Sequence, residues 1–237
     1  MPALQFVHIV MIMDVFVDRK DAGEKLAQQL KKYAGRSDTI VLGLPRGGVP
    51  VAYEVSRKLN APLDIYLVRK LGVPGHVELA MGAIASGGVR IINLDVVKSL
   101  NIPQEVIDMV AHEEEVELER RFSAYRGNRP PLDLKDKIVI LIDDGLATGS
   151  SMRAAVTAVK KMNPKNIVVA VPLAARETCR YFEVHVDEVV CLMIPEPFYG
   201  VGYWYRDFSQ TSDEEVINYL NQAEEAHYQE SRGTFFT

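Results

Sequence analysis

The chain has 237 residues, with 27 basic and 32 acidic side chains and a net charge of −5. That length fits one α/β domain, and 48% apolar with 25% charged residues argues against disorder, collagen-like repeats and a disulfide-built miniprotein. Mild acidity argues against a protein that coats DNA through bulk charge, because non-specific affinity for nucleic acid comes largely from displaced counterions. No DNA partner is expected, and any anionic ligand must be caught locally.

Cys179 and Cys191 form no zinc pattern and read as buried thiols in a reducing compartment. No segment reaches ~18 uninterrupted apolar residues, so a cytoplasmic protein without a membrane partner is expected. Residues 1–13 are apolar but lack a basic leader region, and read as an extension ahead of the first helical pattern.

From Asp18 to Tyr33 the apolar residues Leu26, Ala27, Leu30 and Tyr33 recur at helical spacing, with Gly35 as a stop. Thr39 to Leu44 is a β-rich run that ends in Pro45-Arg46-Gly47-Gly48, and a helical pattern resumes from Val49 to Leu59. Leu63 to Val68 reads as a second strand, followed by a loop from Arg69 to Gly75. Within Leu71 to Ala80, Gly72, Pro74 and Gly75 suggest an irregular lid, with Glu78 as a weak acid–base candidate. Met81 to Ser86 and Val89 to Leu94 flank Gly87-Gly88, a linker suited to a tight hairpin.

Pro103 opens a long charged helix to about Phe122, whose sign runs from Glu113-Glu114-Glu115 to Arg120-Arg121. That order, continued by Arg126 and Arg129, suits the helix macrodipole on a solvated face, with a phosphate-facing basic cluster as the lesser alternative. Ile138 to Ile142 is purely aliphatic, as in a parallel strand buried on both sides. A helix through Met162, strands at Asn166 to Val171 and Asp187 to Ile194, and a helix around Arg176 to Phe182 complete the alternation. Together they predict an α/β fold with a doubly wound, mostly parallel sheet. The aromatic, Pro- and Gly-rich stretch 195–211 breaks the pattern, and Ser212 with Glu215 offers a capping box for a terminal helix. One domain spans 1–237.

The segment Ile140 to Ser151, ILIDDGLATGSS, delivers two carboxylates to the C-terminal end of a buried strand, where open α/β sheets bind ligands. A small-residue loop then turns into a helix. Its amides, with the hydroxyls of Thr148, Ser150 and Ser151, suit a phosphate. Ionised Asp143 and Asp144 only accept hydrogen bonds, which suits a vicinal diol or a hard cation such as Mg²⁺. Phosphate beside diol describes a ribose 5-phosphate. No lysine makes a P-loop, and Gly145 and Gly149 lack the spacing of a dinucleotide fingerprint. The plainer alternative is that the aspartates cap the helix and the glycines merely turn the chain.

ILIDDGLATGSS resembles the ribose-phosphate signature of type I phosphoribosyltransferases. Gly43-Leu44-Pro45-Arg46-Gly47-Gly48 stands where that family places its pyrophosphate loop. Val68-Arg69-Lys70-Leu71-Gly72 and Pro74-Gly75 are similar to loop elements of the adenine enzymes, whereas Val201-Gly202-Tyr203 and Arg206-Asp207-Phe208 resemble the hood of the 6-oxopurine enzymes. The resemblance spans roughly Thr39 to Phe208. It implies transfer of ribose 5-phosphate from phosphoribosyl pyrophosphate (PRPP) to a nitrogen acceptor, with Mg²⁺ as cofactor and pyrophosphate leaving.

On that resemblance Asp143 and Asp144 would hold the ribose hydroxyls and the metal. Gly145, Leu146, Ala147, Thr148, Gly149, Ser150 and Ser151 would hold the phosphoribosyl group; Pro45, Arg46 and Gly47 would hold pyrophosphate, with Lys70 neutralising it. Ala147 stands where the 6-oxopurine enzymes carry an acidic residue, so the acceptor stays open, with a purine-like base as one candidate. Tyr199, Tyr203, Trp204 and Tyr205 are either a stacking platform for that acceptor or the core of the hood. Dimers are common in the family, so a homodimer is an expectation. The competing reading is a regulatory or binding module that senses PRPP without transferring it.

Overall fold

Alternating aliphatic strands and helices set the order of the elements. The computed structural model describes residues 15–127 and 129–233, apart from the side chains of 77, 78 and 227–233. The predicted extension 1–13 and the side chain of Glu78 lie outside that description. In chain order the elements are α1 (Arg19–Gln29), β1 (Thr39–Gly43), α2 (Gly48–Leu59), β2 (Leu63–Ile65), β3 (Val68–Val73), β4 (His76–Ala85), β5 (Val89–Ile92), α3 (Leu94–Ser99) and α4 (Gln104–Arg126). Then follow β6 (Ile138–Ile142), α5 (Ser150–Lys160), β7 (Asn166–Leu173), α6 (Arg176–Glu183), β8 (Glu188–Met193) and α7 (Asp213–Gly233).

Five strands form a parallel sheet in the order β2-β1-β6-β7-β8. The two-residue period of β6 divides its side chains between two cores, which is why the whole strand is apolar. Ile138, Ile140 and Ile142 pack with Leu26, Leu30, Val51 and Val55 of α1 and α2. Val139 and Leu141 pack with Met152, Val156 and Val159 of α5 and Phe182 of α6. From β1 the chain steps outward to β2, whereas from β6 it steps the other way to β7 and β8. The strand order therefore reverses between β1 and β6, and the loops leaving these two strands face each other at the sheet's C-terminal edge.

A second, antiparallel sheet, β3-β4-β5, corrects the reading of Arg69–Gly75 as a loop and makes Leu71–Ala80, the candidate lid, a hairpin with an exposed tip. Only Pro74 and Gly75 form the turn, with Gly75 at φ +79°. Gly72 is absorbed by register shifts in the β3–β4 pairing. Leu71 and Val73 are buried with Met81 and Ile84 against Ile107, Ala111 and Leu118 of α4. Pairing satisfies the backbone, and burial holds the segment down. The Gly87-Gly88 hairpin is as expected, with φ of +83° and +72°.

Helix α4 runs one turn past Phe122, because Arg126 turns inward. Its Nε and Nη2 donate to the Asp64 carboxylate at 2.8–3.1 Å, and the pair is buried between α4 and β2. Arg120 and Arg121 instead stay at the surface and pair with Glu117 on their own helix. The capping box of α7 is present: Ser212 N–H donates to Glu215 Oε2 at 2.7 Å, and Glu215 N–H to Ser212 Oγ at 3.1 Å. Cys179 is buried and Cys191 half-buried, both as free thiols. Among the described residues no helix is long and apolar enough to cross a membrane.

Replacing Arg126 by Met leaves the Asp64 carboxylate buried without its counter-charge, and is expected to cost about 3 kcal/mol or more of stability. Urea unfolding followed by circular dichroism measures it. Arg126→Met combined with Asp64→Leu is expected to recover most of the loss.

Candidate functional site

The two loops at the strand-order reversal meet through missing side chains. Leu44 N–H donates to Ile142 O at 2.8 Å, locking the end of β1 to the end of β6. A Cβ on Gly47 would lie 2.0 Å from Asp144 Oδ2, and one on Gly48 would lie 2.7 Å from Ile142 O. Only glycine at both positions lets the Pro45–Gly48 loop lie against the acid pair. The Pro45–Arg46 peptide in this loop is cis.

Asp143 and Asp144 follow β6 directly. Burial, reinforced by the neighbouring Asp144 charge, pushes the Asp143 carboxyl well above its usual range. Burial raises Asp144 as well, opposed by Arg19. Arg19 Nε donates to Asp144 Oδ2 at 2.9 Å, and its Nη2 lies in ion-pair contact with the same oxygen at 2.9 Å. Tyr205 Oη donates to the Asp144 carbonyl at 2.6 Å. The peptide N–H of Asp144 donates to Asp143 Oδ1 at 2.9 Å.

The loop after the acid pair is pinned at its centre. Leu146 is buried, donates to Leu173 O at 2.9 Å and accepts from Ala175 N–H at 2.8 Å. Thr178 Oγ1 donates to Ala147 O at 2.5 Å. Gly149 has φ +69°, and a Cβ there would lie 2.6 Å from Thr178 Cγ2. With these anchors, Thr148, Ser150 and Ser151 stay exposed at the start of α5, and the hydroxyls of Thr148 and Ser150 are 3.0 Å apart. The first amides of a helix have no intrahelical acceptor, so donors and partial positive charge converge there.

A cavity of about 120 Å³ joins the two loops, and its walls include Arg46, Arg69, Arg121, Tyr125, Asp143 and Ser151. Each arginine is steadied by a carboxylate. Arg46 Nη1 lies 3.5 Å from Asp213 at the start of α7, Arg69 pairs with Glu114, and Arg121 Nε donates to Glu117 at 2.6 Å. Tyr125 Oη also donates to Asp213, at 2.6 Å, and that bond holds the Asp213 carboxyl below its usual value.

The structure thus brings Arg46, Gly47, Asp143, Asp144 and the Gly145–Ser151 loop to one edge. Lys70 is exposed on β3 and is not among the residues that line this cavity. In the hood, Tyr199 and Tyr203 are exposed with ring centroids 5.1 Å apart. Trp204 and Tyr205 are buried in a cluster with Phe16 and Leu173 and offer no open ring face. The hood rests on the acid-pair loop, where a Cβ on Gly145 would lie 2.6 Å from Val201. Arg19 and Asp213 escaped the sequence reading, and Arg121 entered it only as part of the lesser, phosphate-facing alternative for the basic end of α4. Arg19 and Asp213 sit on helices whose charge pattern looks like an ordinary solvated face, and nothing local marks them out.

Residues 17–202 match the phosphoribosyl transferase domain family. The "Putative phosphoribosyl transferase" of Mycobacterium tuberculosis H37Rv is 45% identical over 211 residues, covering 89% of this chain and 47% of that protein. The chain therefore spans about half the length of the curated relatives it matches first. The "Bifunctional protein PyrR" of Alkaliphilus metalliredigens is 29% identical over 132 residues, covering 54% of this chain and 66% of that protein. The crystal structure of TT1426 from Thermus thermophilus shares 40% identity with a TM-score of 0.78, covering 88% of this chain and 98% of that one. By the extent of the domain match, the chain belongs to the phosphoribosyl transferase domain family.

Proposed function

We propose that this protein binds PRPP at the C-terminal edge of its parallel sheet and transfers ribose 5-phosphate to a nitrogen acceptor, releasing pyrophosphate. The observation that carries the reading is the meeting of an exposed helix N-terminus, a part-buried acid pair and an arginine-bearing glycine loop at the single place where the strand order reverses.

In this reading Thr148, Ser150, Ser151 and the amides around Gly149 take the 5-phosphate. Asp143 and Asp144 accept hydrogen bonds from the ribose hydroxyls. Arg46 and the Gly47 amide take pyrophosphate, joined by Arg69 and Arg121 from the cavity wall. The C1–O bond to pyrophosphate breaks as the acceptor nitrogen forms its bond to C1, so charge builds on the leaving group. Fixed cations and amides stabilise that charge without reorganising, and the loops hold the reacting atoms in line.

The donor set fits Mg²⁺. Two part-buried carboxylates are offset by one guanidinium, and both offer hard oxygens to which ligand oxygens can be added. Among the described residues no cluster of three or more His, Cys, Asp or Glu is placed to hold a metal, so oxygens of substrate and water would complete the shell of an ion held by this pair. When bound there, Mg²⁺ would supply charge neutralisation and a template. Tyr199 and Tyr203 are the hood rings open to a planar acceptor.

The test is PRPP with Mg²⁺ and a panel of nucleobases and amines, read as pyrophosphate release. Turnover with one acceptor class supports transfer; PRPP binding without pyrophosphate release from any acceptor favours the sensing module. Absence of PRPP binding overturns the reading. Asp143→Asn with Asp144→Asn is expected to weaken PRPP binding by about tenfold or more in titration calorimetry. Gly47→Ala drives a Cβ into Asp144 and is expected to lower kcat/KM by at least about tenfold. Thr178→Val removes the bond to Ala147 O, worth about 1 kcal/mol, and is expected to raise the KM for PRPP about fivefold with kcat little changed.

A further inference from the structure

The first described residues and the hood are laced together. Phe16 N–H donates to Trp204 O at 2.9 Å, while Arg206 and Asp207 donate to the carbonyls of Phe16 and Val17 at 2.8 and 2.9 Å. Arg19, the first residue of α1, stands at the end of this lacing. Its guanidinium has three engagements at once. Nε donates to Asp144 Oδ2 at 2.9 Å, with Nη2 in ion-pair contact with the same oxygen at 2.9 Å, and Nη1 donates to the carbonyl of Ser209 at 2.6 Å. The central carbon lies 4.0 Å from the centroid of the Phe208 ring.

The side chains of Arg19 and Asp144 are only 12% and 15% exposed, so water screens this pair far less than an ordinary surface bridge. A guanidinium is a rigid plane with its donors in a fixed fork, and it cannot turn to follow one partner without leaving the other two. Both contacts with Asp144 fall on the same oxygen, Oδ2, which leaves Oδ1 for a ligand.

We propose that Arg19 is a positioning residue that couples the hood to the acid pair. It orients Asp144 so that Oδ1 meets the ribose hydroxyls or a divalent cation, and it ties the Phe208–Ser209 end of the hood to that orientation. Occupancy of the pair and order in the hood then depend on each other, and the dependence is reciprocal. This coupling rests on the reading of Asp143 and Asp144 as the ribose-binding pair. A lysine could keep the charge on Asp144, but it has neither the fork nor the flat face that hold Ser209 and Phe208.

Hydrogen–deuterium exchange over residues 198–209, with and without Mg²⁺ and PRPP, tests it on the whole chain. In the native protein PRPP is expected to slow exchange in this segment. In Arg19→Met the unliganded segment is expected to exchange at least about tenfold faster, and PRPP no longer slows it. Arg19→Lys, which keeps a charge beside Asp144 without the fork, is expected to leave the hood loosened and PRPP binding weakened with it, because geometry rather than charge carries the coupling. Unchanged hood exchange in unliganded Arg19→Met overturns the proposal, as does full restoration of hood protection by Arg19→Lys. Should Arg19→Met not fold, Phe208→Ala probes the coupling from the hood side and leaves the Asp144 contact in place. A looser hood with weaker PRPP binding supports the coupling, and a looser hood with native affinity overturns it. The unliganded comparison needs no PRPP, so failure of PRPP to bind the native protein would remove the proposed function and still leave the tether decided.

Discussion

The parallel pairing of β1 with β6 is the constraint on which the site depends. With Gly43 opposite Ile142, the two strands end level, and their loops must share the space beyond. That space admits a second backbone only because Gly47 and Gly48 bring no side chain to it. The acid pair thereby lies under one loop and beside the other, partly shielded from water before any ligand arrives. Burial imposes the charge cost and favours the protonated or cation-bound form, and Arg19, from a helix far away in sequence, offsets part of it.

Net acidity and affinity for a polyanion are compatible under this arrangement. Arg46, Arg69 and Arg121 face one cavity, and each is held by an acid: Asp213, Glu114 and Glu117. The carboxylates fix the guanidinium planes, so less side-chain freedom remains to be lost when an anion binds. Part of the excess negative charge is therefore scaffolding for the cations. Bulk charge excluded a coating mode of binding and said nothing against a local one.

The parallel sheet was legible because its strands are short aliphatic runs separated by helical periods, and β6 is the clearest of them. The acid pair and its loop were legible because strand, carboxylates, small residues and helix are contiguous. The β3–β4 hairpin was misread as a loop. Its glycines and proline look like breakers, and only the tertiary burial of Leu71 and Val73 against α4 makes them a turn and a bulge. Trp204 and Tyr205 show the same limit in the hood: an aromatic run does not reveal which rings the fold will cover. Arg19 was invisible because its partners, Asp144 and Ser209, are 125 and 190 positions away.

The capping box at Ser212 and Glu215 fixes where α7 begins, and so aims Asp213 at Arg46 and Tyr125. This bears on how the molecule assembles during synthesis. All the strands of the parallel sheet precede the hood and α7 in the chain, so the arginine of the glycine loop acquires its carboxylate, and Asp144 its hood, from segments made after the sheet. The sheet can therefore pair before the contacts that steady its ligand-binding edge are available.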